Sequence, residues 1–217
     1  RVVCADREMI DDAGVSAILS ACKEFKVPYG SLANRGNTAE RVKLGFQFLV
    51  TGDAEAIASG RKAASELAAA TSSGATSRTP GAAPEVKPTG RLNRVIDLMQ
   101  QGKPVFGSFA ANAEPGAAVA AAQSNWDFVI FEMEHTGFSM RGLQKSLQYL
   151  LSRRQIKEGG TLAPKVVPFV RVGPGAGEVR RNQGYYKQVL DYGVYGLVVP
   201  HLDSVQHAID VVQAVRY

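Results

Sequence analysis

Helical patterns and short, continuous apolar runs take turns along this chain, and that alternation constrains its fold more than any other feature. Val15, Ile18, Leu19, Cys22 and Phe25 mark one face of a first helix, and "VPYGSLA" follows as a strand. "TAERVKLG" reads as a helix stopped by Gly45, "FQFLVTG" as a strand, and "DAEAIASGRKAASELAAA" as a helix with Asp53 at its start. Further along stand helix "RLNRVIDLMQQG", strand "PVFGSFA", helix "PGAAVAAAQ", strand "DFVIFE", helix "SMRGLQKSLQYLL", strand "KVVPFVRV", helix "YYKQVLDYG", strand "GLVVP" and helix "SVQHAIDVVQAVR". Runs so uniformly rich in Val, Phe and Ile suit a parallel sheet covered by helices on both faces, so the expected class is α/β. Gly45, Gly102 and Gly193 stand before strands, where a left-handed residue ends a helix. A barrel and a doubly wound sheet both satisfy this order; six strands are fewer than the eight of a complete barrel.

The alternation breaks once. "TSSGATSRTPGAAPEVKPTG", residues 71–90, is rich in Ser, Thr, Gly, Ala and Pro and has no apolar period, so it reads as a flexible linker between segments 1–70 and 91–217. A coil of that length spans roughly 25 Å, enough to join two ends on one side of a domain. A hydrophobic share of 45% supports a real core. The net charge of +5 is scattered instead of gathered into a stripe, which argues against a nucleic-acid partner. Cys4 and Cys22 have no metal-ligand spacing, which leaves a reduced, cytoplasmic setting as the expectation and Cys22 as a small core residue. No apolar stretch approaches the ~20 residues of a membrane helix, so no membrane partner is expected. The start "RVVCADREM" has neither an initiator Met nor a signal-peptide core, and the chain is expected to begin inside a longer polypeptide.

In parallel α/β folds the carboxyl ends of the strands build the site. Strand "DFVIF" delivers Glu132, Glu134 and His135; strand "VVPFV" delivers Arg171; strand "GLVVP" delivers His201 and Asp203. A charge after an apolar strand can simply mark its exposed end. Two acids, a histidine and an arginine on neighbouring strands point instead to a site that handles a carboxylate and a proton.

"WDFVIFEMEHTGFS", "PFVRVG", "KQVLDYGVYGLVVPHLDS" and the terminal "AVRY" together resemble the HpcH/HpaI family of class II, metal-dependent pyruvate aldolases, which fold as TIM barrels. In that family the second strand ends in acid-x-Glu-His, the third in Arg, and the helix before the fourth carries an "LD-x-G" aspartate. On this resemblance residues 91–217 are strands one to four. Segment 1–70 resembles the family's other end: "ACKEFKVPYGSLAN" its seventh strand, and "KLGFQFLVTGDAEAIASGRKAASELAAA" its eighth strand and last helix. The order is inverted, as in a permuted or incomplete barrel, and strands five and six have no counterpart. Those strands carry the family's metal ligands, so no metal ligand is expected within this chain. The resemblance implies a divalent cation, Mg²⁺, Mn²⁺ or Co²⁺, a small 2-oxo-acid substrate and a homo-oligomer, commonly a hexamer.

The implied reaction is retro-aldol cleavage of a 4-hydroxy-2-oxo acid to pyruvate and an aldehyde through a metal-stabilised enolate. Arg171 faces the developing oxyanion, His135 is the base on the 4-hydroxyl, and Asp191 orients its ring. Glu132 and Glu134 set local charge and hold metal-bound water; Glu132 departs from the Asp that many related chains carry there. His201 lines the substrate entrance or is structural, and His207 lies on the surface of the last helix. Related acyl-CoA lyase or oxaloacetate decarboxylase chemistry stays open, as does a non-catalytic assembly subunit built on an aldolase scaffold. "GPGAGEVRR" lacks the spacing of phosphate and dinucleotide loops and reads as a substrate loop. Lys165 starts its strand and Lys187 lies on a helix, which disfavours a Schiff base.

Overall fold

Local signals open and close most of the elements as the sequence predicts. The structure, a computed structural model, describes residues 3–4, 12–72, 91–110, 114–173 and 179–216. The chain divides into two compact units, Arg1–Gly107 and Ser108–Tyr217.

The first unit holds β1 (Val3–Cys4), α1 (Asp12–Glu24), β2 (Tyr29–Leu32), α2 (Thr38–Lys43), β3 (Phe48–Val50), α3 (Ala54–Ser72), α4 (Arg94–Gln100) and the start of β4 (Val105–Ala110). The strands pair in parallel, with Val3 beside Tyr29, Gly30 beside Phe48, and Phe48 beside Val105. Leu49, Val105 and Phe106 are fully buried, as strands covered on both faces require. Asp53 caps α3, its Oδ1 accepting from the backbone N–H groups of Glu55 and Ala56 at 2.9 Å each. Gly45 follows α2 with φ +95°, beside the Tyr29 hydroxyl, which donates to the Leu44 carbonyl at 2.9 Å.

Four readings change here. Among the described residues there are seven strands and not six; the additional one, Val3–Cys4, is two residues long and too short to show a pattern. Phe25 is not on the buried face of α1: the helix stops at Glu24, Lys26 turns the chain with φ 52°, and the ring is 72% exposed. α3 runs to Ser72, two residues into the stretch read as linker, whose remaining residues 73–90 lie outside the described residues. A short helix, α7 (Arg153–Gly159), stands where none is predicted.

The second unit continues β4 and adds α5 (Pro115–Gln123), β5 (Phe128–Glu132), α6 (Met140–Leu150), α7, β6 (Val167–Arg171), α8 (Val179–Asp191), β7 (Gly196–Val198) and α9 (Val205–Ala214). Ser139 and Ser204 cap α6 and α9, accepting from Gly142 N–H at 3.0 Å and His207 N–H at 3.1 Å. β5, β6 and β7 are parallel neighbours, with Glu132 beside Arg171 and Arg171 beside Val198. Val129, Phe131, Val170, Leu143, Tyr186 and Val189 form the core between these strands and their helices. Residues 174–178 of the stretch read as a substrate loop lie outside the described residues, and Val179 already opens α8. No helix among the described residues is long and apolar enough to cross a membrane.

Candidate active site

Registered residues on parallel strands project to the same side of the sheet, so the pairing of Glu132 with Arg171 brings the last side chains of β5 and β6 together. Arg171 Nη2 forms an ion pair with Glu132 Oε2, and Arg171 Nε lies 3.1 Å from Glu134 Oε2. The Nε contact is off the hydrogen-bond line, which makes it an ion pair more than a directed bond. Both carboxylates are withdrawn from water, at 6% and 4% side-chain exposure, and the guanidinium is 24% exposed. Below it the ring of Phe109, from the end of β4, sits 4.7 Å from Arg171 Cζ, within cation–π range.

The backbone after β5 folds around Glu132. Its Oε1 accepts from Glu134 N–H at 2.6 Å and His135 N–H at 3.1 Å, and the Thr136 hydroxyl donates to the Glu132 carbonyl. That turn is why the apolar run ends in two acids and a histidine: Glu132 organises the loop while Glu134 faces the next strands. Beyond β7, His201 takes a left-handed backbone, φ 57°, and its Nε2 reaches Glu134 Oε1 at 2.9 Å. His135 Nε2 lies 3.4 Å from Glu134 Oε2. The rings of His135 and His201 are 66% and 65% exposed.

Five residues read from the sequence therefore converge: Glu132, Glu134, His135, Arg171 and His201. The structure sets the His135 ring against Glu134, and Asp191 closes α8 as an exposed residue. Asp203, before α9, forms an ion pair with His207 Nδ1 at 2.5 Å. Lys165 lies before β6 and donates its Nζ to the Ser124 carbonyl at 2.9 Å, a tie at the amino end of the strands. Phe109 is the participant that the sequence reading passes over. The strand-end rule that finds the charges would have found it, had it been applied to apolar residues.

A hard divalent cation needs about six oxygen ligands. Here Glu132 is engaged by two backbone amides and Arg171, and Glu134 by Arg171 and His201. Among the described residues no group of three or more His, Cys, Asp or Glu is placed to hold a metal ion. The residues present do not by themselves fit a metal centre. One guanidinium stands against two carboxylates, and the two imidazoles contact Glu134 beside it.

No family model matches the chain. Curated proteins do. The chain is 29% identical over 126 residues to a hydroxypyruvate/pyruvate aldolase of Paraburkholderia phytofirmans, covering 58% of this chain and 41% of that protein. It is 31% identical over 129 residues to one of Pseudomonas aeruginosa, with 58% and 41% covered. It is 29% identical over 118 residues to a 2-keto-3-deoxy-L-rhamnonate aldolase of Klebsiella pneumoniae, with 54% and 38% covered. The chain thus spans about two fifths of the length of the curated relatives it matches. Solved structures that resemble it include an archaeal fructose 1,6-bisphosphate aldolase, at 14% identity and a TM-score of 0.47 over 99% of this chain and 92% of that one. A score that low leaves the fold to be argued from the strands themselves. Over rather more than half of its length, the chain is similar to curated proteins named hydroxypyruvate/pyruvate aldolase and 2-keto-3-deoxy-L-rhamnonate aldolase.

Proposed function

We propose that this chain carries one side of the active site of a carbon–carbon lyase, an aldolase that cleaves a 4-hydroxy-2-oxo acid to pyruvate, or a related 2-oxo acid, and an aldehyde. The observation that carries the reading is the convergence of Arg171, two buried carboxylates and two exposed imidazoles at neighbouring strand ends, in a homologue of aldolases. In the cleavage, His135 takes the proton of the 4-hydroxyl, the bond between C3 and C4 breaks, and its electron pair becomes the enolate of the 2-oxo acid. Arg171, charged at any working pH and held in place by Glu132, Glu134 and Phe109, stabilises the oxygen on which that charge collects.

The family resemblance also implies a divalent cation, Mg²⁺, Mn²⁺ or Co²⁺. Its ligands would then come from chain beyond these residues or from a partner subunit. On the same reading the strands belong to a permuted or incomplete (β/α)8 barrel, Asp191 acts from the end of α8, and the protein works in the cytoplasm as a homo-oligomer. The test is pyruvate release from a panel of 4-hydroxy-2-oxo acids, with Mn²⁺ or Mg²⁺ and with EDTA, by the whole natural polypeptide and by this stretch alone. Metal-dependent release by the whole and none by the stretch is the expected result. No release by the whole polypeptide with any metal would favour the rival reading, an assembly subunit without catalysis. What favours that rival is that both carboxylates at the site are already engaged by Arg171.

A further inference from the structure

Two imidazoles share one carboxylate at this site, and cleavage by a single base uses only one of them. His135 Nε2 and His201 Nε2 approach the two oxygens of Glu134 from different elements, the loop after β5 and the turn after β7, at 3.4 Å and 2.9 Å. Each ring is about two-thirds exposed and uses Nε2 for this contact, so its Nδ1 is available to a substrate. Among the described residues, Glu134 is also paired with Arg171, which pairs with Glu132 in turn. The two rings thus meet across one carboxylate.

A retro-aldol cleavage needs the complementary pair, because a proton leaves an oxygen and another must reach a carbon. We propose that His201 is the second proton-transfer group of the site, an acid coupled to His135 through Glu134; the assignment rests on the lyase reading above. The cycle starts with His135 neutral and His201 protonated. The 4-hydroxyl proton passes to His135 as the bond between C3 and C4 breaks; the oxygen's electron pair becomes the aldehyde carbonyl and the broken bond's pair becomes the enolate. Charge gained at His135 expels the proton on His201, which goes to C3 and converts the enolate to the 2-oxo acid. Solvent at the two exposed rings then returns the proton from His135 to His201, so atoms and charge balance over a turnover. His201 stands in a left-handed turn, φ 57°, with its ring in contact with Glu134.

The protonation half-step can be read without carbon–carbon cleavage, as exchange of the pyruvate methyl hydrogens for deuterium in D₂O, followed by proton NMR on the whole natural polypeptide with Mn²⁺ or Mg²⁺. His201→Gln retains a donor for Glu134 but cannot carry a proton, and its exchange rate should fall by about 100-fold while half-saturation by pyruvate moves less than about 2-fold. His201→Ala should fall likewise and recover in part with free imidazole. Exchange at the wild-type rate in His201→Gln overturns the assignment. So does loss in both variants with no recovery by imidazole, because a merely structural histidine gives that pattern. If the wild type neither exchanges pyruvate nor cleaves any hydroxy-oxo acid, the lyase reading itself fails and this one with it. A wild type that cleaves, beside a His201→Gln that exchanges normally, removes only the role of His201.

Discussion

Arg171 is tied to three neighbours at once: Glu132 through Nη2, Glu134 through Nε, and the ring of Phe109 through its face. Removing it leaves two carboxylates of 6% and 4% side-chain exposure without their cation. Arg171→Ala should therefore lower stability by about 3–5 kcal/mol in urea unfolding, the cost of breaking a buried pair from one side. Arg171→Lys keeps the charge but loses the fork, and should recover only part of that difference. An Arg171→Ala variant as stable as the parent would mean that the carboxylates are solvated or neutral. At this scale much of the site is readable in advance, since Glu132, Glu134, His135, Arg171 and His201 all follow apolar strands. Their partners are not. That His135 meets Glu134 depends on how the strands are staggered, and Phe109 has no charge to announce it.

α3 shows what an element owes to its ends and its face. Asp53 is held below the usual carboxylate range, first by its bond from Ala56 N–H and then by Arg35, whose Nε lies 2.6 Å away. A carboxyl depressed in the folded state stabilises it above the unfolded value, and that contribution is lost as pH falls through the folded value. Asp53→Asn retains the cap acceptor without the charge. Its melting temperature should be lower than the parent's at neutral pH, and the gap should close on acidification; a constant gap across the carboxylate range would refute the charge contribution. Farther along, a Cβ at Gly60 would stand 2.5 Å from the Phe106 ring and 2.8 Å from Thr38 Cγ2. Gly60→Ala should cost about 1–3 kcal/mol by overpacking, against the small gain in helix propensity that an exposed site would show. Chemical denaturation decides the sign. The capping role of Asp53 is legible in the sequence, because it acts on the next three residues. The close approach at Gly60 is not, because Phe106 lies more than forty positions away in the chain.

For the whole molecule, the matched relatives are longer than this chain, which covers about two fifths of them. The proposed homo-oligomer predicts that sedimentation equilibrium of the whole natural polypeptide gives a multiple of its chain mass; a single-chain mass would remove it. The alternation of helices and strands, the parallel sense of the strands and most helix ends follow from sequence alone, because they rest on the period of apolar residues and on caps acting within one turn. So does the resemblance to aldolases, carried by short motifs at strand ends. Where the signal is too short or too local it fails: β1 has two residues, α7 has seven, and Phe25 continues an apolar period past the end of its helix. Only tertiary structure decided that Glu134 stands between Arg171, His135 and His201. That choice requires β5, β6 and β7 to lie side by side in one register, and register is a property of paired strands that no single segment contains.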